Sequence, residues 1–169
     1  MSNYKLSYKS FGEKAILIEW PQEIHKEILS DIISFKSKIE ENINLQDVIV
    51  GYNSLVLVSR YKIEEVDEKM YALNELYQQP SKIEVIKTNH WKIPVCYDKK
   101  FGIDLAYISS ELKISTHEII KLHTNATYTV FFIGFIPGFL YLGGLNNQIA
   151  IPRKSTPRLR VPKGAVAIG

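Results

Sequence analysis

Two hydrophobic periods alternate along the first 80 residues, one typical of strands and one typical of helices. Segments 4–11 and 14–20 alternate as strands do, with Gly12 at the turn between them. Apolar residues then recur at helical spacing and predict an amphipathic helix over 22–42. Its stripe contains Ile24, Ile28, Ile32, Phe35 and Ile39, widened by Leu29 and Ile33.

A similar unit follows. Segments 47–52 and 54–61 predict a hairpin, and a second helix with a one-sided stripe ends near Pro80. Segment 81–87 again favours a strand. The order ββαββαβ predicts an α+β fold, a small sandwich with helices on one face of an antiparallel sheet, for an N-terminal domain over 1–88. The second stripe contains Ile63, Val66, Met70, Leu73 and Leu76.

The pattern changes in the second domain, predicted over 89–169. Segment 90–97 alternates like a strand, and Asp104 is a candidate cap for a short helix. Ser115 and Glu118 have the spacing of a capping box, which opens a helix that runs to about His123. The β-branched and aromatic run 128–135 predicts a buried strand.

Glycine and proline dominate the remainder of the chain. Such dense punctuation is typical of the short strands and shaped loops of a β-barrel. Segment 161–168 favours barrel strands, yet nothing after it covers their edge, and an open apolar edge invites aggregation. We therefore expect the barrel to be incomplete, with its C-terminal part missing or supplied by another chain.

Charge divides the chain unevenly although the net charge is only +3. Residues 1–118 carry 15 basic and 18 acidic side chains, whereas residues 119–169 carry six basic and no acidic ones. One interpretation is a solvated basic loop. The other is a site for a phosphate, carboxylate or acyl-phosphate, which arginine binds with two parallel hydrogen bonds. No continuous basic block or aromatic-basic motif favours nucleic acid.

Cysteine use and hydropathy favour a cytoplasmic protein. Cys96 is the single cysteine, so an intramolecular disulfide is impossible. The N-terminus has no apolar signal-peptide core, and no apolar run approaches the ~18 residues of a membrane span. His25, His90 and His117 lack metal-site spacing, and we predict no metal site.

A glycine-proline loop carries the first candidate site. Gly134 and Gly138 permit close backbone approach or positive φ, and Pro137 stiffens the turn between them. Phe135, Phe139 and Tyr141 are expected to form an aromatic wall beside it. These six residues are the candidate substrate-binding set, although glycine and proline also turn barrel corners and aromatic rings also fill barrels.

Basic residues after prolines form the second candidate site. Arg153 follows Pro152 and Arg158 follows Pro157, so both arginines sit on constrained backbone, as preorganised anion binding requires. No acidic residue is near Arg158 in sequence, so a local ion pair is not expected. His123 is a candidate general acid or base, and a structural role at a helix end is equally compatible with its position.

The residues from Gly134 onward resemble a known family. Two patterns, G-F-x-P-G-F-x-Y-L and P-R-x-x-x-P-R-x-x-V-P-x-G-x-V-x-I-G, look like the signature of the KipI family, also called allophanate hydrolase subunit 1. The chain matches them at Gly134, Phe135, Pro137, Gly138, Phe139, Tyr141 and Leu142, and at Pro152, Arg153, Pro157, Arg158, Val161, Pro162, Gly164, Val166, Ile168 and Gly169.

The resemblance implies a cyclophilin-like β-barrel after the N-terminal domain. It also implies a component of ATP-dependent 5-oxoprolinase, which opens 5-oxoproline to L-glutamate with subunits C and A, using ATP and Mg²⁺ held with a partner. Catalytic roles then fall on His123, Arg153 and Arg158. Two alternatives stay open: an inhibitor that binds a histidine kinase, and an amide carboxyltransferase of the urea carboxylase type.

Overall fold

The structure is a computed structural model that describes residues 4–80 and 88–168. It shows a mixed α/β fold with antiparallel sheets, divided into two compact units. The first contains Met1–Thr88 with Val130–Tyr141, and the second contains Asn89–Thr129 with Leu142–Gly169. The strand predicted over 81–87 lies outside the described residues.

A four-stranded antiparallel sheet with the order β1-β2-β4-β3 forms the centre of the first unit. Alternate apolar residues of the two central strands point to one face, so Ile18 pairs with Leu55 and Ile16 pairs with Leu57. All four side chains are buried. The strands are β1 (Ser7–Ser10), β2 (Ala15–Glu19), β3 (Asp47–Val50) and β4 (Ser54–Val58).

Two helices complete this core, α1 (Lys26–Asn42) and α2 (Val66–Gln78). Ile28, Ile32, Phe35 and Ile39 of α1 and Leu73 and Tyr77 of α2 pack with the apolar face of the sheet. The predicted helix over 22–42 starts too early. Nδ1 of His25 caps the first turn by accepting the Glu27 N–H, so Ile24 lies before the helix and is 67% exposed.

Helices dominate the second unit: α3 (Leu105–Leu112), α4 (Thr116–Asn125) and a short 3-10 helix, Asn147–Ile149. Ile119 and Ile149 are its buried apolar residues. Ser115 accepts the Glu118 N–H at 3.2 Å, which confirms the predicted helix start. Asp104 occupies the N-cap of α3, yet its side chain makes no cap hydrogen bond there with the described residues.

One β-hairpin is present in the later part of the chain, β5 (Thr129–Ile133) with β6 (Leu140–Gly143). Full burial of the strand predicted over 128–135 is wrong, because Phe131 is buried but Val130 and Ile133 are exposed. A β-branched and aromatic run predicts a strand, and whether both faces are covered depends on neighbours distant in sequence.

Segments 90–97 and 161–168 contain no strand, so those two predictions are wrong. Alternation makes a strand only where a neighbouring strand supplies hydrogen bonds, and Ile93 and Val161 are instead exposed. The barrel over 89–169 stays a prediction, as does the domain boundary at residue 88. No helix in the described ranges is long and apolar enough to cross a membrane.

Candidate functional site

An ion cluster in the second unit joins the basic segment to the start of α3. Nη1 and Nη2 of Arg158 donate to the two carboxylate oxygens of Asp104 at 2.9 and 3.0 Å. Nζ of Lys154 donates to Oδ1 of the same carboxylate at 2.8 Å. Arg158, first, and then Lys154 hold the pKa of Asp104 well below its usual range by hydrogen bonding to the charged form.

Arg158 has no acidic partner near it in the sequence, as expected, but it does have a distant one. Asp104 lies 54 positions away in the sequence, beyond any local pattern. The sequence pattern predicted a helix cap at Asp104, and this side chain bonds the two cations instead. The signal that could have found it is charge imbalance: a basic segment without local carboxylates requires distant ones for any ion pair.

Arg153 behaves differently from Arg158. It is exposed and makes no ion pair with a described residue. Lys154, its neighbour, also lies 5.3 Å from the centre of the Tyr107 ring, a favourable arrangement for a cation over an aromatic face. Lys154 and Arg158 are therefore paired with a carboxylate, whereas their neighbour Arg153 has no ion pair among the described residues.

His123 lies in a second cluster of the same unit, at the last turn of α4. Its Nδ1 shares a hydrogen bond with the Tyr97 hydroxyl, and its backbone carbonyl accepts from the Tyr128 hydroxyl at 3.0 Å. Both tyrosine rings contact the imidazole, at centroid distances of 5.8 and 5.4 Å. Burial lowers the pKa of His123, so the neutral imidazole is favoured near neutral pH.

The sequence pointed to His123 but gave no sign of Tyr97 and Tyr128 as its partners. Burial raises the pKa of both tyrosines, which keeps both hydroxyls protonated. The hydrogen bond at Nδ1 orients the ring and leaves Nε2 as the nitrogen able to exchange a proton with a ligand.

Aromatic rings cover the β5–β6 hairpin, where the candidate substrate-binding loop lies. Phe139 packs edge-on against both Phe135 and Tyr141, at centroid distances of 5.9 and 4.9 Å. Phe132 stacks on Tyr141 at 4.0 Å and was not foreseen. The four rings form one continuous aromatic surface within the first unit.

Two residues in the turn of this hairpin adopt the left-handed backbone conformation. Gly138 has φ +80°, which glycine tolerates, but Phe135 has φ +64°, which is unusual for a bulky residue. Pro137 lies between them, and the Phe139 N–H donates to the Ile136 carbonyl at 3.1 Å. Gly134 is not left-handed; its N–H donates to the Phe139 carbonyl at 3.1 Å and closes the loop. Phe135 is 86% exposed, so the strained residue projects into solvent.

Curated relatives are similar along nearly the whole chain. The 5-oxoprolinase B subunit of Bacillus subtilis (strain 168) is 31% identical over 179 residues, covering 95% of this chain and 72% of that protein. The 5-oxoprolinase B subunit of Escherichia coli O157:H7 is 30% identical over 158 residues, which cover 94% of this chain and 72% of that protein.

Solved structures share the fold. The crystal structure of TTHA0988 is 25% identical with a TM-score of 0.74, covering 92% of this chain and 30% of that chain. Kluyveromyces lactis urea carboxylase, at 15% identity and a TM-score of 0.54, covers 78% of this chain and 14% of its own and shows the fold alone. The chain thus spans less than a third of the length of either solved protein.

The family model described as "Carboxyltransferase domain, subdomain C and D" matches residues 6–169. That match spans both units and all the clusters above. It agrees with the two similar B subunits and with the fold shared with TTHA0988. The chain belongs to the family of carboxyltransferase domains, subdomains C and D.

Proposed function

We propose that this chain is the B subunit of a bacterial ATP-dependent 5-oxoprolinase, active only with its partner subunits C and A. Similarity along 95% of the chain to a protein named as a 5-oxoprolinase B subunit supports the proposal. The structural observation that carries it is the cationic cluster of Lys154 and Arg158, with the unpaired Arg153 beside it. Both 5-oxoproline and ATP are anions that such a cluster can hold.

The proposed reaction consumes ATP and two waters. The γ-phosphoryl group of ATP moves to the amide oxygen of 5-oxoproline, and ADP leaves. Water then attacks the activated carbon, the ring C–N bond breaks, and a second water releases phosphate to leave L-glutamate. Arg153 and Arg158 hold the transferred phosphoryl group or the substrate carboxylate, and Nε2 of His123 exchanges the proton. The aromatic residues Phe135, Phe139 and Tyr141 of the hairpin, with Gly134, Pro137 and Gly138 in its loop, are proposed separately as substrate-binding residues.

The residues of this chain that the structure describes do not form a site that would hold Mg²⁺ by themselves. They contain no group of three or more histidine, cysteine, aspartate or glutamate side chains placed to hold a metal ion. Residues 119–169 contain no carboxylate, which is the ligand that Mg²⁺ prefers. We therefore propose that ATP and its metal are held with the partner subunit, in the cytoplasm where ATP is made.

The cyclophilin-like β-barrel over 89–169 belongs to the same proposal. The resemblance of residues 134–169 to the KipI family supports it. The boundary at residue 88 is proposed on the same grounds.

Reconstitution tests the function directly. The chain is co-expressed with subunits C and A from the same genome, and L-glutamate formation from 5-oxoproline is measured with and without ATP. We expect ATP-dependent glutamate that disappears when any one subunit is omitted. No glutamate from a complex in which every subunit is soluble would refute the proposal.

A second candidate is carboxyl transfer to an amide, which the description of the matched family favours. The same anion cluster would then hold a carboxylate. Dependence of product formation on biotinylated protein and bicarbonate, measured with a urea-like amide, distinguishes this reaction from ring opening. We expect no such dependence.

A further inference from the structure

Asp104 projects from a closely packed turn. The N–H groups of Phe101 and Gly102 both donate to the Asp98 carbonyl at 2.7 Å, and the Leu105 N–H donates to the Gly102 carbonyl. A Cβ at Gly102 would lie 2.5 Å from a methyl group of Leu105 and 3.0 Å from the Tyr97 carbonyl. A side chain at Gly102 would require the Leu105 side chain to move, so this turn is closely packed beside Asp104.

The carboxylate of Asp104 gathers two cations that would otherwise repel each other. Its two oxygens accept three charge-assisted hydrogen bonds, two from Arg158 and one from Lys154. Without the carboxylate, two long exposed side chains would spread apart and sample many rotamers. Ordering these two side chains costs conformational entropy. Because their bonds to Asp104 already order them in the free protein, ligand binding does not have to order them again.

Donors remain for a ligand after these bonds are made. Arg158 keeps Nε–H and further N–H groups, and Lys154 keeps N–H groups that Asp104 does not accept. The side chains of Lys154 and Arg158 are 48% and 41% exposed, so solvent reaches these donors. The cluster carries net positive charge, since two cations share one carboxylate.

We propose that Asp104 is the positioning residue of an anion site whose contacts are the remaining donors of Arg158 and Lys154. The ligand is a phosphate or phosphoryl group, whose several oxygens match donors from two cations. This inference rests on the proposed function for its role in catalysis, but the anion site itself does not depend on it. Asp104 touches no substrate and acts through Arg158.

Asp104 could instead occupy the Arg158 fork only until an anion replaces it, and this role predicts the opposite change in anion affinity. If its carboxylate merely filled the arginine fork until a substrate anion displaced it, removing its charge would strengthen anion binding. If it positions the fork, removing its charge weakens anion binding. The direction of the change in affinity therefore separates the two roles.

The experiment compares the wild type with Asp104→Asn, Asp104→Glu and Arg158→Lys. Asp98→Asn is the matched control, because it removes the same charge from the same turn and the side chain of Asp98 makes no hydrogen bond to a described residue. Inorganic phosphate is titrated against each protein at fixed ionic strength and its affinity is measured by calorimetry. In the proteins that retain Arg158, the NMR signal of the Arg158 Nε–H group is followed as well. Melting temperature is recorded for all variants.

We expect Asp104→Asn to weaken phosphate binding at least tenfold and to bring the Arg158 signal toward that of a free guanidinium. Asp104→Glu should restore part of the affinity, Arg158→Lys should lose it because the fork is gone, and Asp98→Asn should match the wild type. Equal or tighter binding by Asp104→Asn, or no phosphate binding by the wild type, would overturn the inference.

Kinetics of the reconstituted complex then link the site to the reaction. We expect Asp104→Asn to raise the KM for the anionic substrate more than it lowers kcat. An inactive wild-type complex whose phosphate binding still weakens in Asp104→Asn would reject the proposed function and keep the anion site. If the complex is active and Asp104→Asn leaves its KM unchanged, the positioning role of Asp104 is rejected and the proposed function is kept.

Discussion

Arg158 and Asp104 lie 54 positions apart and form a two-point ion pair, with N–O distances of 2.9 and 3.0 Å. The pair ties a proline-rich basic segment to the first residues of a helix. It converts a flexible cation into one with a defined direction, which is the property that electrostatic catalysis requires.

Arg158→Ala should lower turnover of the reconstituted complex on the order of a hundredfold, because a preorganised contact to the reacting anion is lost. The melting temperature should change little, since exposed ion pairs contribute little to stability. Arg160→Ala is the control, because Arg160 lies in the same segment and makes no ion pair with a described residue. Equal, mild effects of both substitutions on turnover would indicate a solvated basic loop.

His123 should make stability depend on pH in a defined direction. Burial lowers its pKa in the folded protein, so the unfolded chain binds the proton more readily. The stability that neutral His123 contributes is complete above about pH 6.5 and is lost as pH falls through the lower folded pKa. Urea unfolding from about pH 7.5 to pH 5 should show a smaller loss for His123→Gln than for the wild type.

The control for this measurement is His117→Gln, on the exposed surface of the same helix. It should keep the pH dependence of the wild type. If His123→Gln also keeps the pH dependence of the wild type, the burial of His123 does not make stability depend on pH.

Ile32→Ala should destabilise the first unit by about 2–5 kcal/mol, because Ile32 is fully buried between helix and sheet and its truncation leaves a cavity. Ile24→Ala is the matched control, with the same chemical change at a residue that is 67% exposed. Its effect should stay within about 0.5 kcal/mol. Chemical denaturation measures both, and similar losses would mean that Ile24 is buried by the helix stripe after all.

Gly144 should tolerate alanine poorly. It has φ +107°, and a Cβ there would lie 2.9 Å from the Thr127 carbonyl oxygen. Gly164→Ala is the comparison, since Gly164 also has positive φ, +79°, but no atom within 4 Å of the added Cβ. Alanine at Gly144 should cost more than ~1 kcal/mol in the free energy of unfolding and more than alanine at Gly164. Equal costs would show that the contact with Thr127 relaxes freely.

Local patterns in the sequence determined the first unit. Apolar periods of 3.6 and 2 predicted helix α1, helix α2 and the β3–β4 hairpin. These periods reflect the geometry of neighbouring residues, and they predict the element correctly where its apolar face packs in a core. Ser115 as the cap of α4 was predictable for the same reason, since its partner is three residues away. The resemblance carried by 134–169 predicted the family, which the match over residues 6–169 confirms.

Tertiary structure alone decided the partners of the candidate site residues. The members of the Asp104–Arg158 pair lie 54 positions apart in the sequence, and those of the Tyr97–His123 pair lie 26 apart. Local periodicity cannot predict contacts over such separations. The same limit explains segments 90–97 and 161–168, whose alternation predicts strands that require a neighbour to form. A sequence states what each residue can bond to, whereas the fold decides which partner comes within reach.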